Sequence, residues 1–162
     1  MANLDQRDTA LAVVGEIEMR YADDARPVTA TQGRWFPYLG SGDGRVESGP
    51  LRGRARFSTF ESELGEGASA TTCIANLAAS CALNLAVTID TDDGASINLE
   101  AIGYAVRVGG PVWRTSLGVI ASSEDARYTT LLDQPIVWLG TFDEERRVGR
   151  ATLYLADPGL AR

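Results

Sequence analysis

The chain has 162 residues and a net charge of −7, contains no histidine, and all 15 of its basic residues are arginine. Those absences remove a Ser-His-Asp or Cys-His device, the usual zinc sites, a Schiff base and a pyridoxal attachment point. No metal and no cofactor is expected, and the acid-base groups that remain are carboxylates, tyrosines and two thiols, of which a carboxylate must be shifted by burial before it works near neutrality. A chain this long suits one domain, expected over residues 1–162 with 1–10 as a flexible N-terminal segment, and such a domain buries about 70% of its unfolded surface without needing a disulfide or a metal.

The opening Met1-Ala-Asn-Leu-Asp-Gln-Arg-Asp8 has acids where a signal peptide needs a cationic end and an apolar run. The longest apolar stretches fall well short of the roughly 20 residues that span a bilayer. These features predict a cytoplasmic protein, with Cys73 and Cys81 most simply two half-buried free thiols and a structural disulfide as the alternative. The acidic balance repels phosphate backbones and anionic lipid, so neither nucleic acid nor membrane is an expected partner; a homodimer is left open.

Along the chain, turn residues recur at Gly40-Ser-Gly-Asp-Gly44, Ser48-Gly-Pro50, Asp92-Asp-Gly94, Gly109-Gly-Pro111, Asp143-Glu-Glu145 and Asp157-Pro-Gly159. Between them lie short runs rich in Val, Ile, Thr, Trp and Tyr, the punctuation of an all-β sandwich or barrel. Strands are predicted near 11–18, 34–39, 52–58, 71–76, 82–91, 95–104, 115–121, 135–141 and 149–156, with a helical turn between Ser122 and Leu132. Arg52, Arg54 and Arg56 alternate along one strand face close to Arg45, a pattern that either binds an anion or, more commonly, forms a solvated face paired with acids.

One hairpin can be taken to its register. With the loop Asp92-Asp93-Gly94, glycine falls at the left-handed position that such a loop requires. Ile89 then faces Ile97, Val87 faces Leu99 and Leu85 faces Ala101, while Asp90 meets Ser96, Thr88 meets Asn98 and Ala86 meets Glu100. A one-residue slip would set apolar against polar along the whole ladder. The hairpin has a dry face and a polar face carrying Asn84, Thr88, Asn98 and Glu100, and the polar face meets either solvent or a barrel lumen.

Candidate chemistry gathers on few residues. Trp113-Arg114-Thr115 opens a strand after a Gly-Gly-Pro turn, and an aromatic beside an arginine suits gripping a carbonyl or enolate on a flat ligand, although Arg114 equally suits a structural ion pair. Trp35, Trp138 and Tyr154 are core aromatics by default, or pocket walls if the domain is hollow. The candidate catalytic residues are Glu100, Arg114 and Tyr128, and the candidate substrate-binding residues are Trp35, Asn84, Asn98, Tyr104, Trp113 and Trp138. Asp92 and Asp93 suit a tight turn better than a hard-cation site, and no nucleotide-binding loop is present.

From about Gly33 onward the chain resembles a family of small bacterial β-barrel proteins known as domain of unknown function 3237. The resemblance is carried by Gly49-Pro-Leu-Arg-Gly53, by Leu83-Asn-Leu-Ala-Val-Thr-Ile-Asp-Thr-Asp-Asp-Gly-Ala95, by Trp113-Arg-Thr115, by Arg127-Tyr128 before a Leu-Asp pair, and by the strand from Ile136 to Gly140. It implies a single antiparallel calycin-like barrel. The chain departs from the family pattern at Glu61 to Ala70, where the family carries a tryptophan-bearing segment, and at Glu100 and Ala101, where it carries arginine and asparagine, which implies a less basic pocket. The expected function is a cofactor-independent enzyme that encloses a lipophilic, polyketide-like small molecule and cyclises or isomerises it by shape, since holding a reactive conformer supplies about 7–11 kcal/mol without acid or base. The rivals are a lipocalin-like carrier of a hydrophobic ligand and a lyase or dehydratase using a raised-pKa Glu100.

Overall fold

The computed structural model describes the backbone of residues 11–31, 34–60 and 80–155 and the side chains of 11–25, 40–59 and 83–155. The segment 1–10, the strand expected at 71–76 and Cys73 lie outside the described residues, as do the side chains of Trp35 and Cys81. The strands are β1 (Ala12–Tyr21), β2 (Arg26–Thr31), β3 (Arg34–Ser48), β4 (Gly53–Phe60), β5 (Ser80–Thr91), β6 (Ser96–Gly109), β7 (Val112–Ser122), β8 (Ile136–Asp143) and β9 (Val148–Leu155). The expected helical turn is a 3-10 turn at Ala126–Tyr128 running into the four-residue α1 (Thr129–Leu132). No helix among the described residues is long and apolar enough to cross a membrane.

Neighbouring strands are antiparallel in the order β1-β9-β8-β7-β6-β5-β4-β3, and β1 also pairs with β3, which closes the sheet into an eight-stranded barrel. β2 adds to the part of β3 that runs beyond the ring. Closure follows from alternation: along β7, Trp113, Thr115, Leu117 and Val119 are buried while Arg114, Ser116, Gly118 and Ile120 are exposed, because successive side chains point to opposite faces of a strand. At eight strands the interior is just wide enough for side chains to fill it or to leave room for one small ligand.

Gly40 to Gly44, expected as a loop, is part of β3. The reason lies inside the barrel: a Cβ on Gly42 would meet the Phe57 ring at 2.6 Å, and one on Gly44 would meet Met19 Cγ at 2.9 Å. Glycines at period two let large side chains from neighbouring strands lie across β3. They read as a turn signal only when the strand's partners are unknown.

The hairpin pairs in the expected register throughout, with Ile89 on Ile97, Val87 on Leu99 and Glu100 on Ala86. Its dry face fills the barrel and its polar face looks outward: Ile89, Ile97 and Leu99 are at most 1% exposed, whereas Asn98 and Glu100 are exposed. Gly94 has φ of +90° and open space around its Cβ position, so backbone strain alone opposes a side chain there. Gly94→Val is therefore expected to cost about 1–3 kcal/mol, read from urea denaturation; a loss under a few tenths would mean that the turn does not need its left-handed residue.

The arginine stripe is a solvated, paired face. Arg54 meets Asp43 at 3.3 Å, Arg56 meets Asp90 at 3.1 Å, and Arg45 and Arg52 converge on Asp92 at 2.8 and 3.2 Å.

Candidate functional site

The two ends of the barrel differ in how they are filled. Toward the β5–β6 turn the inner positions hold Ile89, Ile97, Leu99 and Leu153, all at most 1% exposed. Toward the other end, among Phe57, Trp113 and Phe142, three inner positions are small: Ala105, Thr115 and Gly149. A Cβ on Gly149 would find nothing closer than Met19 Cε and the Thr141 carbonyl oxygen at 3.8 Å. Those three small residues leave a pocket, and about 550 Å³ of atom-free space lies in and in front of it, open solvent included.

Met19, Leu85, Leu117 and Trp138 form the floor of this pocket, and Phe57, Leu83, Ala105 and Phe142 its walls. Tyr21 stands at the rim with its ring edge-on to Phe57 and Phe142, at centroid distances of 4.9 and 5.5 Å. Its hydroxyl donates to Thr59 Oγ1 at 3.3 Å, which also accepts the Gly40 amide at 3.1 Å and donates to the Gly40 carbonyl at 3.2 Å. Thr59 thereby ties the rim to the start of the ring portion of β3. Among the described residues no carboxylate lines the pocket, and the one charged lining residue is Arg150, exposed and paired with Glu18 at 2.7 Å.

One lining group stands apart. Thr115 is 7% exposed, and its hydroxyl has no hydrogen-bond partner among the described residues. Leaving a buried hydroxyl unpaired costs about 1–3 kcal/mol, so a polar atom kept there in a mostly apolar cavity is a ready partner for a ligand.

Of the residues singled out in the sequence, Trp138 lines the pocket. Trp113 is 1% exposed and packs beside it with Ala25, Ala105 and Phe142. Its indole N–H donates to Glu144 Oε2 at 3.2 Å, and the guanidinium stacked on its ring at 4.5 Å is that of Arg107, itself held by Glu144 at 2.7 Å. Arg114 points the opposite way, exposed and without an ion pair among the described residues. Glu100, Asn98 and Tyr104 are exposed, and Asn84 sits half-buried on the same outer face. Asn98 accepts a hydrogen bond from Thr88 at 3.0 Å.

Tyr128 lies at the far, closed end. Its hydroxyl sits 3.0 Å from Asp93 Oδ1 and 3.2 Å from the Pro50 carbonyl. Asp93 also accepts from Thr91 Oγ1 at 2.6 Å, and Arg127 spans Asp93 and Asp125 at 3.0 and 2.7 Å. The Thr91 hydrogen bond, helped by those of Tyr128 and by the Arg127 charge, holds the Asp93 carboxyl below the usual carboxylate range. Burial pushes the Tyr128 phenol up. At neutral pH Asp93 is therefore ionised and Tyr128 protonated, a donor and acceptor that staple the end shut and hold no proton poised for transfer. The barrel thus does not bring Glu100, Arg114 and Tyr128 together: two project from the wall and one is built into the plug.

The residues that sequence reasoning did not single out are Tyr21, Phe57, Thr115 as a pocket group, and Phe142. Thr115 was readable from parity alone, since a strand that buries Trp113 buries the second residue on.

No family model matches the chain, and no curated protein matches its sequence. Solved structures do match in shape. A protein of unknown function from Clostridium acetobutylicum superposes with a TM-score of 0.60 at 14% identity, covering 90% of this chain and 99% of that one. A β-barrel-like protein from Acinetobacter baumannii gives 0.61 at 13% identity, covering 94% and 99%. A third, of unknown function from Rhodopseudomonas palustris, gives 0.55 at 14% identity, covering 93% and 99%. What the chain shares with all three, over nearly its whole length, is the β-barrel fold.

Proposed function

We propose that this protein binds a lipophilic small molecule through the open end of its barrel, with the Thr115 hydroxyl pairing one polar group of that ligand. The observation that carries this reading is an apolar, aromatic-walled pocket holding one unpaired, buried hydroxyl. Cyclisation or isomerisation of a flexible, polyketide-like chain is the catalytic form of the same reading. It is supported by the aromatic floor and walls and by the lack of a lining carboxylate among the described residues, because a site of that kind acts by holding a conformer. A lyase built on Glu100 has no such support, since that side chain faces away from the pocket.

The test is titration with a neutral fluorescent lipophile that carries a single N–H, N-phenyl-1-naphthylamine. Saturable binding is expected, with quenching of tryptophan emission through Trp138. Gly149→Leu projects a side chain into open pocket volume and should weaken binding about tenfold or more at unchanged thermal stability. Thr115→Val keeps the shape but removes the acceptor and should cost roughly 0.5–1.5 kcal/mol of affinity. Binding that ignores Gly149→Leu, or no saturable binding at all, would sink the reading.

A further inference from the structure

The outside of the barrel is uneven in character. Around β3, β4 and β5 it is laced with ion pairs, whereas the outer face of β6 to β9 carries Ile102, Tyr104, Ile120 and Leu139 at 57, 56, 71 and 40% exposure. The strand register makes these one patch. Ile102 lies opposite Gly118, which lies opposite Val137, followed by Tyr154 and then Val13 on β1. The next row runs Tyr104, Ser116, Leu139, Thr152. Contiguous exposed apolar area of this sort marks an interaction surface on a soluble domain.

The charges bounding the patch are arranged to suit a copy of itself. Glu100 lies in the row of Ile120, and Arg114 lies in the row of Val106, with the Ile102 and Tyr104 rows between them. Neither has an ion-pair partner among the described residues, and they stand roughly 20 Å apart along the strands. A twofold axis crossing the strands midway between the two central rows exchanges the outer rows. It sets Glu100 of each copy beside Arg114 of the other, and the Ile102 row on the Tyr104 row. An axis running along the strands would instead keep Glu100 and Arg114 in separate rows, about 20 Å apart. A twofold interface is self-complementary in this way, with residue i meeting j and j meeting i.

We infer that the outer face of β6 to β9 is the interface of a homodimer, two barrels packed sheet on sheet with reciprocal Glu100–Arg114 pairs. The inference is independent of the pocket, which opens at the barrel end. Four strands at about 4.8 Å spacing and four rows make a face of at most about 20 by 20 Å, which is below the size of standard specific interfaces and makes the dimer a weak, dissociable one.

Sedimentation velocity at 150 mM salt, from about 1 to 500 µM protein, should show a monomer–dimer equilibrium. Gly118 sits mid-patch, where a Cβ would meet nothing closer than a carbonyl oxygen at 4.0 Å, so Gly118→Arg should leave the circular dichroism unchanged and abolish the dimer. Glu100→Arg should raise the dissociation constant about tenfold or more by facing two arginines, and adding Arg114→Glu should restore it. A monomer throughout the range, a dimer indifferent to Gly118→Arg, or a double variant no better than Glu100→Arg would each overturn the assignment.

Discussion

Trp138→Ala is expected to lower the unfolding free energy by about 3–5 kcal/mol, the usual cost of emptying a core position of a large aromatic. For a domain of this size that corresponds to a drop of roughly 10 °C or somewhat more in Tm. The indole is 3% exposed, on a strand paired with Leu117 of β7 and Leu153 of β9, at the level where the filled half of the barrel gives way to the pocket. The void it leaves opens into the pocket and can take up water, which relieves part of the cavity cost, so the value should fall toward the lower end of that range. Thermal and urea denaturation read the result directly. A loss under about 1 kcal/mol would mean that the ring is a loosely held pocket wall and contributes little to the core.

How far the molecule was legible depended on whether the information was local. The β5–β6 hairpin could be registered because loop length and polarity are both written within one short segment, and they agreed residue for residue. β3 could not, because Gly42 and Gly44 make sense only against Phe57 and Met19, which reach them from two other strands. The site was split for a related reason. Trp113, Arg114 and Thr115 read as a unit along the chain, yet neighbours on a strand face opposite ways, so Thr115 enters the pocket and Arg114 the surface. Tyr21, Phe57 and Phe142 meet only once β1 has closed the ring on β3 and β9, and no pattern along the chain announces such a closure.

Three of the segments that carry the resemblance, Gly49 to Gly53, the turn from Thr91 to Ala95 and Arg127-Tyr128, meet at the closed end. Leu51 of Gly49-Pro-Leu-Arg-Gly53 is 0% exposed, the Asp92 amide donates to the Arg52 carbonyl at 2.9 Å, and Tyr128 joins Pro50 to Asp93. Some of these short motifs thus describe how a barrel is plugged, while others place Leu83, Leu85, Thr115 and Trp138 in the pocket at the opposite end. A likeness in those motifs speaks to the fold and leaves the ligand open.

Leu51→Ala should accordingly destabilise the protein by about 3–5 kcal/mol while sparing the pocket. Loop side chains are usually exposed, and this one is fully buried among Val14, Val46 and the other inner residues of the closed end, so its loss opens a cavity of the kind that makes Leu→Ala changes cost 2.7–5.0 kcal/mol in a well-studied host. Because the pocket lies at the other end, a bound lipophile should still raise the Tm of Leu51→Ala about as much as that of the unaltered protein, since stabilisation by a ligand depends on its concentration relative to Kd and not on the starting stability. Thermal unfolding with and without N-phenyl-1-naphthylamine measures both quantities in one experiment. A variant that folds yet gains nothing from the probe would show that the closed end shapes the binding site, and the separation of plug from pocket would fall.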